Sequence, residues 1–141
     1  MGLLDNYTGI GMSPRPKWRH QNVLSNLHGN MFHEIRRNGY IVLTEATVTS
    51  DWNDLAPDLV IFDKEKNPLS IIEITTHKEL EAIITKCDEL IDRFPNAEYF
   101  VYDYEADVFY QYEKEEDLWI CSEQEEIRSS YLSRPLQDYL L

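Results

Sequence analysis

Apolar residues recur along the chain with two periods, and the period assigns most of the elements. From Trp18 to Asn38, Val23, Leu24, Leu27, Met31 and Ile35 fall on one stripe, which predicts an amphipathic helix. His20 and Glu34 project onto the same side, so the stripe carries a polar residue near each end. Pro14 and Pro16 favour extended backbone just ahead of this helix. Asn38-Gly39 ends it, because glycine tolerates left-handed backbone. Tyr40 to Val48 is rich in β-branched residues and reads as a strand, followed by a polar turn from Ser50 to Leu55. Two further strands run through Ala56-Pro57-Asp58-Leu59-Val60-Ile61-Phe62-Asp63 and Leu69-Ser70-Ile71-Ile72-Glu73-Ile74-Thr75-Thr76. From His77 to Phe94, Leu80, Ile83, Ile84, Cys87, Leu90, Ile91 and Phe94 recur at steps of three and four, the clearest helix in the chain. Pro95-Asn96 stops it. Glu98 to Tyr104, Val108 to Glu113 and Leu118 to Ser122 then predict three antiparallel strands. Glu123 to Ser130 is a polar connection, and Pro135 to Leu141 is a short apolar tail expected to dock on the body.

This order of elements predicts an α/β or α+β fold, with a central mixed β-sheet flanked by two main helices. The long helix between the Glu73 strand and the Glu98 strand suits a crossover, so that pair should be parallel. No internal repeat or low-complexity tract divides the chain. Its 141 residues read as a single domain, 1–141, large enough for a sizeable core.

Two polar positions disturb the strand pattern. Side chains alternate faces along a strand, so Asp58 shares a face with Val60 and Phe62, and Glu73 with Ile71 and Thr75. A buried carboxylate is costly unless paired, protonated or bound to a metal. Two of them on neighbouring strands suggest a metal site. Glu45, on the face of Ile41 and Leu43, is a third carboxylate or an edge residue facing solvent. Glu34 either leans toward the carboxylate pair or pairs at the surface with Arg37 or Asn38. His20 reads as a core-edge histidine bonded to backbone. On the second helix, at about 100° per residue, Lys86 lies at the flank of the apolar stripe and Lys78 nearly opposite, facing water. A flank lysine ordinarily snorkels. Of the two, Lys86 is better placed to reach over the sheet.

Charge and composition narrow the function classes. A net charge of −13 argues against simple electrostatic capture of nucleic acid. The charge is uneven, however. Arg15, Lys17, Arg19, Arg36 and Arg37 lie in a segment whose only acid is Glu34, whereas acids crowd into Glu113 to Glu126. This leaves either a basic N-terminal patch or a merely acidic, soluble surface. Tyr99, Tyr102, Tyr104, Tyr110 and Tyr112 could stack on bases, but on strands they read first as sheet residues. No apolar run approaches the ~20 residues of a membrane span. The N-terminus shows no charged-then-apolar leader, so a cytoplasmic protein without a membrane partner is expected. Cys87 and Cys121 read as free, buried thiols, and no Cys/His cluster has zinc spacing.

Pro57-Asp58, about fourteen residues, then Glu73 resembles the PD-(D/E)XK nuclease superfamily. Within it the chain is similar to a bacterial family of uncharacterised restriction-endonuclease-like proteins. Met12-Ser13-Pro14-Arg15-Pro16 followed by His20-Gln21 and a helix resembles that family's opening motif. Pro57-Asp58-Leu59-Val60 and Ile72-Glu73-Ile74 resemble its two central strands. Lys86 falls near its helix lysine, and Ala97-Glu98-Tyr99-Phe100-Val101-Tyr102-Asp103 resembles the strand that usually ends in Asp. Pieces of the resemblance run from about residue 12 to 112. The superfamily's usual Glu-x-Lys reads Glu73-Ile74-Thr75 here, which makes Lys86 the substitute for the missing lysine.

The resemblance implies a restriction-endonuclease-like core and metal-dependent hydrolysis of DNA phosphodiester bonds. It implies Mg²⁺ (or Mn²⁺) held by Asp58, Glu73 and the carbonyl of Ile74, with Glu34 or Glu45 completing the set and Glu34 preferred. Lys86 would orient water or stabilise charge on the phosphate. Thr75 would hydrogen-bond water or phosphate, and His20 would contribute nearby. A homodimer would let two copies of the site cut both strands, with the tyrosine-rich meander as an apolar surface. The second class of function is a catalytically inactive binding or regulatory module of the same fold, favoured by the acidic charge and the displaced lysine.

Overall fold

The computed structural model describes residues 14–45 and 56–141, with side chains from Trp18 onward. Helix α1 (Pro14–Arg37) leads into strand β1 (Ile41–Thr44), followed by β2 (Leu59–Phe62) and β3 (Pro68–Thr75). A 3-10 turn (His77–Glu79) opens helix α2 (Leu80–Arg93). The meander β4 (Glu98–Asp103), β5 (Val108–Glu113) and β6 (Leu118–Cys121) and a 3-10 helix (Leu136–Leu140) complete the chain.

Helix α1 begins four residues before Trp18, so Pro14 and Pro16 lie inside its first turn rather than in extended chain. The first four helical N–H groups have no intrahelical acceptor, which is why proline is tolerated there. The helix ends at Gly39, whose φ of 88° is left-handed. Gly39 N–H donates to the Arg36 carbonyl and Tyr40 N–H to the Ile35 carbonyl, closing a Schellman cap.

The six strands form one mixed sheet in the order β1-β2-β3-β4-β5-β6. The β3–β4 pair is parallel, as the α2 crossover requires, and every other pair is antiparallel. Alternation along the strands makes two cores. On one face, Leu24, Leu27, Met31 and Ile35 of α1 pack with Leu59, Ile61, Ile72, Ile74 and Phe100. On the other, Leu90 of α2 packs with Val60, Phe62, Ile71 and Tyr99. This is an α+β arrangement of a mixed sheet between two helices.

Strand β1 is shorter than the pattern predicted. Glu45 adopts a left-handed φ of 51° and ends it, while its N–H donates to the Asp58 carbonyl at 2.8 Å. The far end of the predicted strand, the polar turn over 50–55 and residues 12–13 of the opening motif lie outside the described residues. Among the described residues, no helix is long and apolar enough to cross a membrane.

Candidate functional site

Leu59 stands opposite Ile72 in the β2–β3 ladder, so one step back Asp58 is level with Glu73. The two residues are cross-tied at the mouth of the sheet. Asp58 N–H donates to Glu73 Oε1 at 3.0 Å, and Ile74 N–H donates to Asp58 Oδ2 at 2.7 Å. From the α1 side, His20 Nε2 lies 3.2 Å from Asp58 Oδ1. From α2, Lys86 Nζ lies 2.7 Å from Glu73 Oε2 and donates to the Ala56 carbonyl at 3.0 Å. The flank position of Lys86 and the α2-facing position of Glu73 make this reach possible. Four elements thus bring two carboxylates, an ammonium and an imidazole to one end of β2 and β3.

Glu73 is fully buried. Burial, and then the charge of Asp58, push its carboxyl up to about 8, against the opposite pull of Lys86. Burial acts to raise Asp58 too, but the His20 hydrogen bond and the Ile74 N–H hold it below the ordinary value. The same His20–Asp58 hydrogen bond, outweighing burial, raises the imidazole above its usual value. His20 is therefore paired with a carboxylate, where the pattern of the helix read first as a histidine bonded to backbone.

The ammonium of Lys86 lies 2.7 Å from Glu73 Oε2, so this buried oxygen faces a cation. A pair of carboxylates offers oxygen donors, the ligand type that a hard divalent cation takes. Among the described residues no three His, Cys, Asp or Glu side chains form a metal cage. Mg²⁺ is commonly held by one or two carboxylates plus substrate and water rather than by such a cage. Two carboxylates are oxygen donors of the kind Mg²⁺ or Mn²⁺ takes, unlike the Cys and His ligands of a structural zinc centre, and each of their oxygens faces a protein group.

Beside the cluster is a cleft lined by His20, Gln21, Glu45, Ile74, Thr75, Thr76, Glu79 and Tyr104. Thr75 is in this lining, but its hydroxyl donates to the Thr76 carbonyl at 3.1 Å. Glu45 is exposed at the rim and adds negative charge near His20. The Arg19 guanidinium stacks 4.9 Å over the Tyr104 ring.

Glu34 is not brought to the carboxylate pair, and its carboxylate is engaged with neither Arg37 nor Asn38, although the Asn38 N–H donates to the Glu34 main-chain carbonyl at 3.1 Å. Fourteen residues of α1 separate it from His20, about 21 Å at 1.5 Å per residue. Its Oε2 accepts from Ser133 N–H at 2.6 Å and its Oε1 from the Tyr139 hydroxyl at 2.5 Å. The apolar tail docks on α1 through this residue, and a contact across a hundred positions leaves no local signal in the sequence.

A second acid–imidazole pair was also missed. His77 Nδ1 is 2.8 Å from Asp103 Oδ2, while Asp103 Oδ1 accepts from Glu105 and Ala106 N–H at 3.0 Å each. Asp103 is fully buried and shapes the β4–β5 turn. Thr75 stands opposite Asp103 in the β3–β4 ladder, which puts this pair at the same end of the sheet as the cleft. No protein-family model matches the chain, and no curated protein matches it in sequence.

Proposed function

We propose that this domain is a metal-dependent nuclease that hydrolyses DNA phosphodiester bonds at the Asp58–Glu73–Lys86 cluster. One observation carries the reading: Lys86 crosses from α2 to within 2.7 Å of Glu73, supplying the cation that position 75 lacks. Asp58 and Glu73, with the Ile74 carbonyl as the resemblance implies, would hold one Mg²⁺ or Mn²⁺. When bound, the ion supplies charge neutralisation at the phosphate and acidity to an attacking water. Lys86 then places a fixed positive charge where negative charge develops on the phosphate oxygens. His20 keeps the Asp58 carboxylate ionised and oriented. Thr75 contributes a polar wall to the cleft and no charge.

A second reading is a non-catalytic binding module of the same fold. One feature favours it: each carboxylate oxygen of the pair already faces a protein group, namely His20, Ile74 N–H, Asp58 N–H or Lys86. Nicking of supercoiled plasmid in Mg²⁺ or Mn²⁺ separates the two. The nuclease reading expects activity in the wild type, with a loss of at least ~100-fold in Asp58→Ala and in Lys86→Met. Equal activity in all three proteins would mean contamination, and the binding-module reading would replace it. A homodimer belongs to the nuclease proposal, and sedimentation of the active protein tests it.

A further inference from the structure

We infer that the first turns of α1 form a single-stranded nucleic-acid platform, with a base stacked on Trp18 and a phosphate held by Arg19. The inference deepens the nuclease reading and rests on it for the class of partner. Helix α1 carries five of the chain's 13 Lys and Arg but one of its 26 Asp and Glu. That one acid, Glu34, is bound to the C-terminal segment through Ser133 and Tyr139. The helix sequence is thus basic in an otherwise strongly acidic chain, and of its described side chains Arg19 near the start and Arg36 and Arg37 at the end are exposed, a charge that complements a polyanion.

Two side chains give the helix a direction. Trp18 is 68% exposed, which leaves much of its indole open to solvent. Arg19, the next residue, is held over the Tyr104 ring at the rim of the cleft, so its guanidinium is preorganised there. His20 follows and contacts Asp58. At about 100° per residue Arg19 is turned about 100° and Trp18 about 200° around the helix from His20, so the Trp18 ring is on the solvent face of α1 and Arg19 stands between it and the cleft.

The character of the face distinguishes among polyanions. One and two turns along from Trp18 the exposed residues are Gln21, Asn22 and Ser25, neutral hydrogen-bonding groups with no apolar continuation. A lipid-inserting helix needs an apolar face there. An acidic peptide offers carboxylates and no ring to stack on tryptophan. A duplex keeps its bases stacked inside, whereas a single strand exposes their faces.

Fluorescence anisotropy with labelled oligo-dT, and with a duplex of equal length, tests this on the full chain in EDTA, which separates binding from cleavage. The wild type should prefer oligo-dT and lose affinity as salt rises. Trp18→Ala should weaken oligo-dT binding by roughly 5- to 100-fold, with Trp18→Phe retaining most of it. Arg19→Ala should weaken oligo-dT and duplex alike, and Arg93→Ala, on the far helix, should change neither. Thermal melts of each variant confirm that it is folded.

The platform is overturned if folded Trp18→Ala binds oligo-dT as the wild type does, if the wild type prefers duplex, or if it binds neither. It is equally overturned if poly-glutamate or phosphatidylserine vesicles compete as well as unlabelled oligo-dT. A protein that binds as described and never nicks DNA removes the catalytic reading and leaves the platform standing. One that nicks DNA with Trp18→Ala binding unchanged does the reverse.

Discussion

Glu73 is shut off from solvent, and its charge depends on Lys86 and the Asp58 N–H. Removing one partner of a buried ion pair strands the other, at about 3–5 kcal/mol. Lys86→Met should therefore destabilise the fold by about 3 kcal/mol in urea unfolding above pH 8, and by less in acid, where Glu73 takes up a proton instead. The wild type should show a related pH dependence. Unfolded, Glu73 releases its proton near the ordinary 4.5; folded, it does so near about 8. Between those values the native state binds more protons, so stability falls as pH rises. Glu73→Gln should flatten that fall, and an unchanged slope would assign it to another group. Asp58 and Glu73 were legible in the sequence because a carboxylate interrupting an apolar strand is conspicuous. The Lys86 contact was legible only as a possibility of helical geometry, since its partner lies on another element.

The docked tail shows most clearly where element-level reading succeeded and where it failed. The apolar character of Pro135 to Leu141 predicted docking, and Leu136 and Tyr139 within it are fully buried. It did not identify the acceptor. Burial acts to raise Glu34, but the Tyr139 and Ser133 hydrogen bonds hold its carboxyl below the ordinary value. Its contribution to stability is therefore present above the ordinary 4.5 and is lost as pH falls through the depressed folded value. Tyr139→Phe should cost about 1–2 kcal/mol at neutral pH, and this cost should fade in acid. Paired urea titrations at the two pH values check it; a cost independent of pH would mean that the hydroxyl acts through packing alone. The helix and strand periods were readable because each is a local repeat. The early start of α1 was not, because proline forbids a helix interior yet suits a first turn.

At the scale of the whole molecule, the sheet brings its carboxylates together in the folded state and not in the unfolded chain. A cation bound there must therefore stabilise the fold. At a hundredfold excess over its dissociation constant, Mg²⁺ or Mn²⁺ should add about 2.7 kcal/mol, a rise in Tm of roughly 5–10 °C. Differential scanning calorimetry should find this rise in the wild type and lose it in Asp58→Ala. An equal shift in both proteins would place the ion elsewhere, and no shift in either would leave the cluster as a self-neutralised structural network.

The sequence alone determined the succession of elements, the parallel crossover and the two faces of the sheet, because periodicity and chain connectivity are local properties. It also determined which carboxylates interrupt an apolar pattern. Only the tertiary structure decided the partners: His20 with Asp58, Lys86 with Glu73, Glu34 with Ser133 and Tyr139, and His77 with Asp103. Each of these pairings spans thirteen to more than a hundred positions and joins separate parts of the fold. Their geometry is set by how helices and strands pack, and no repeat along the chain encodes it.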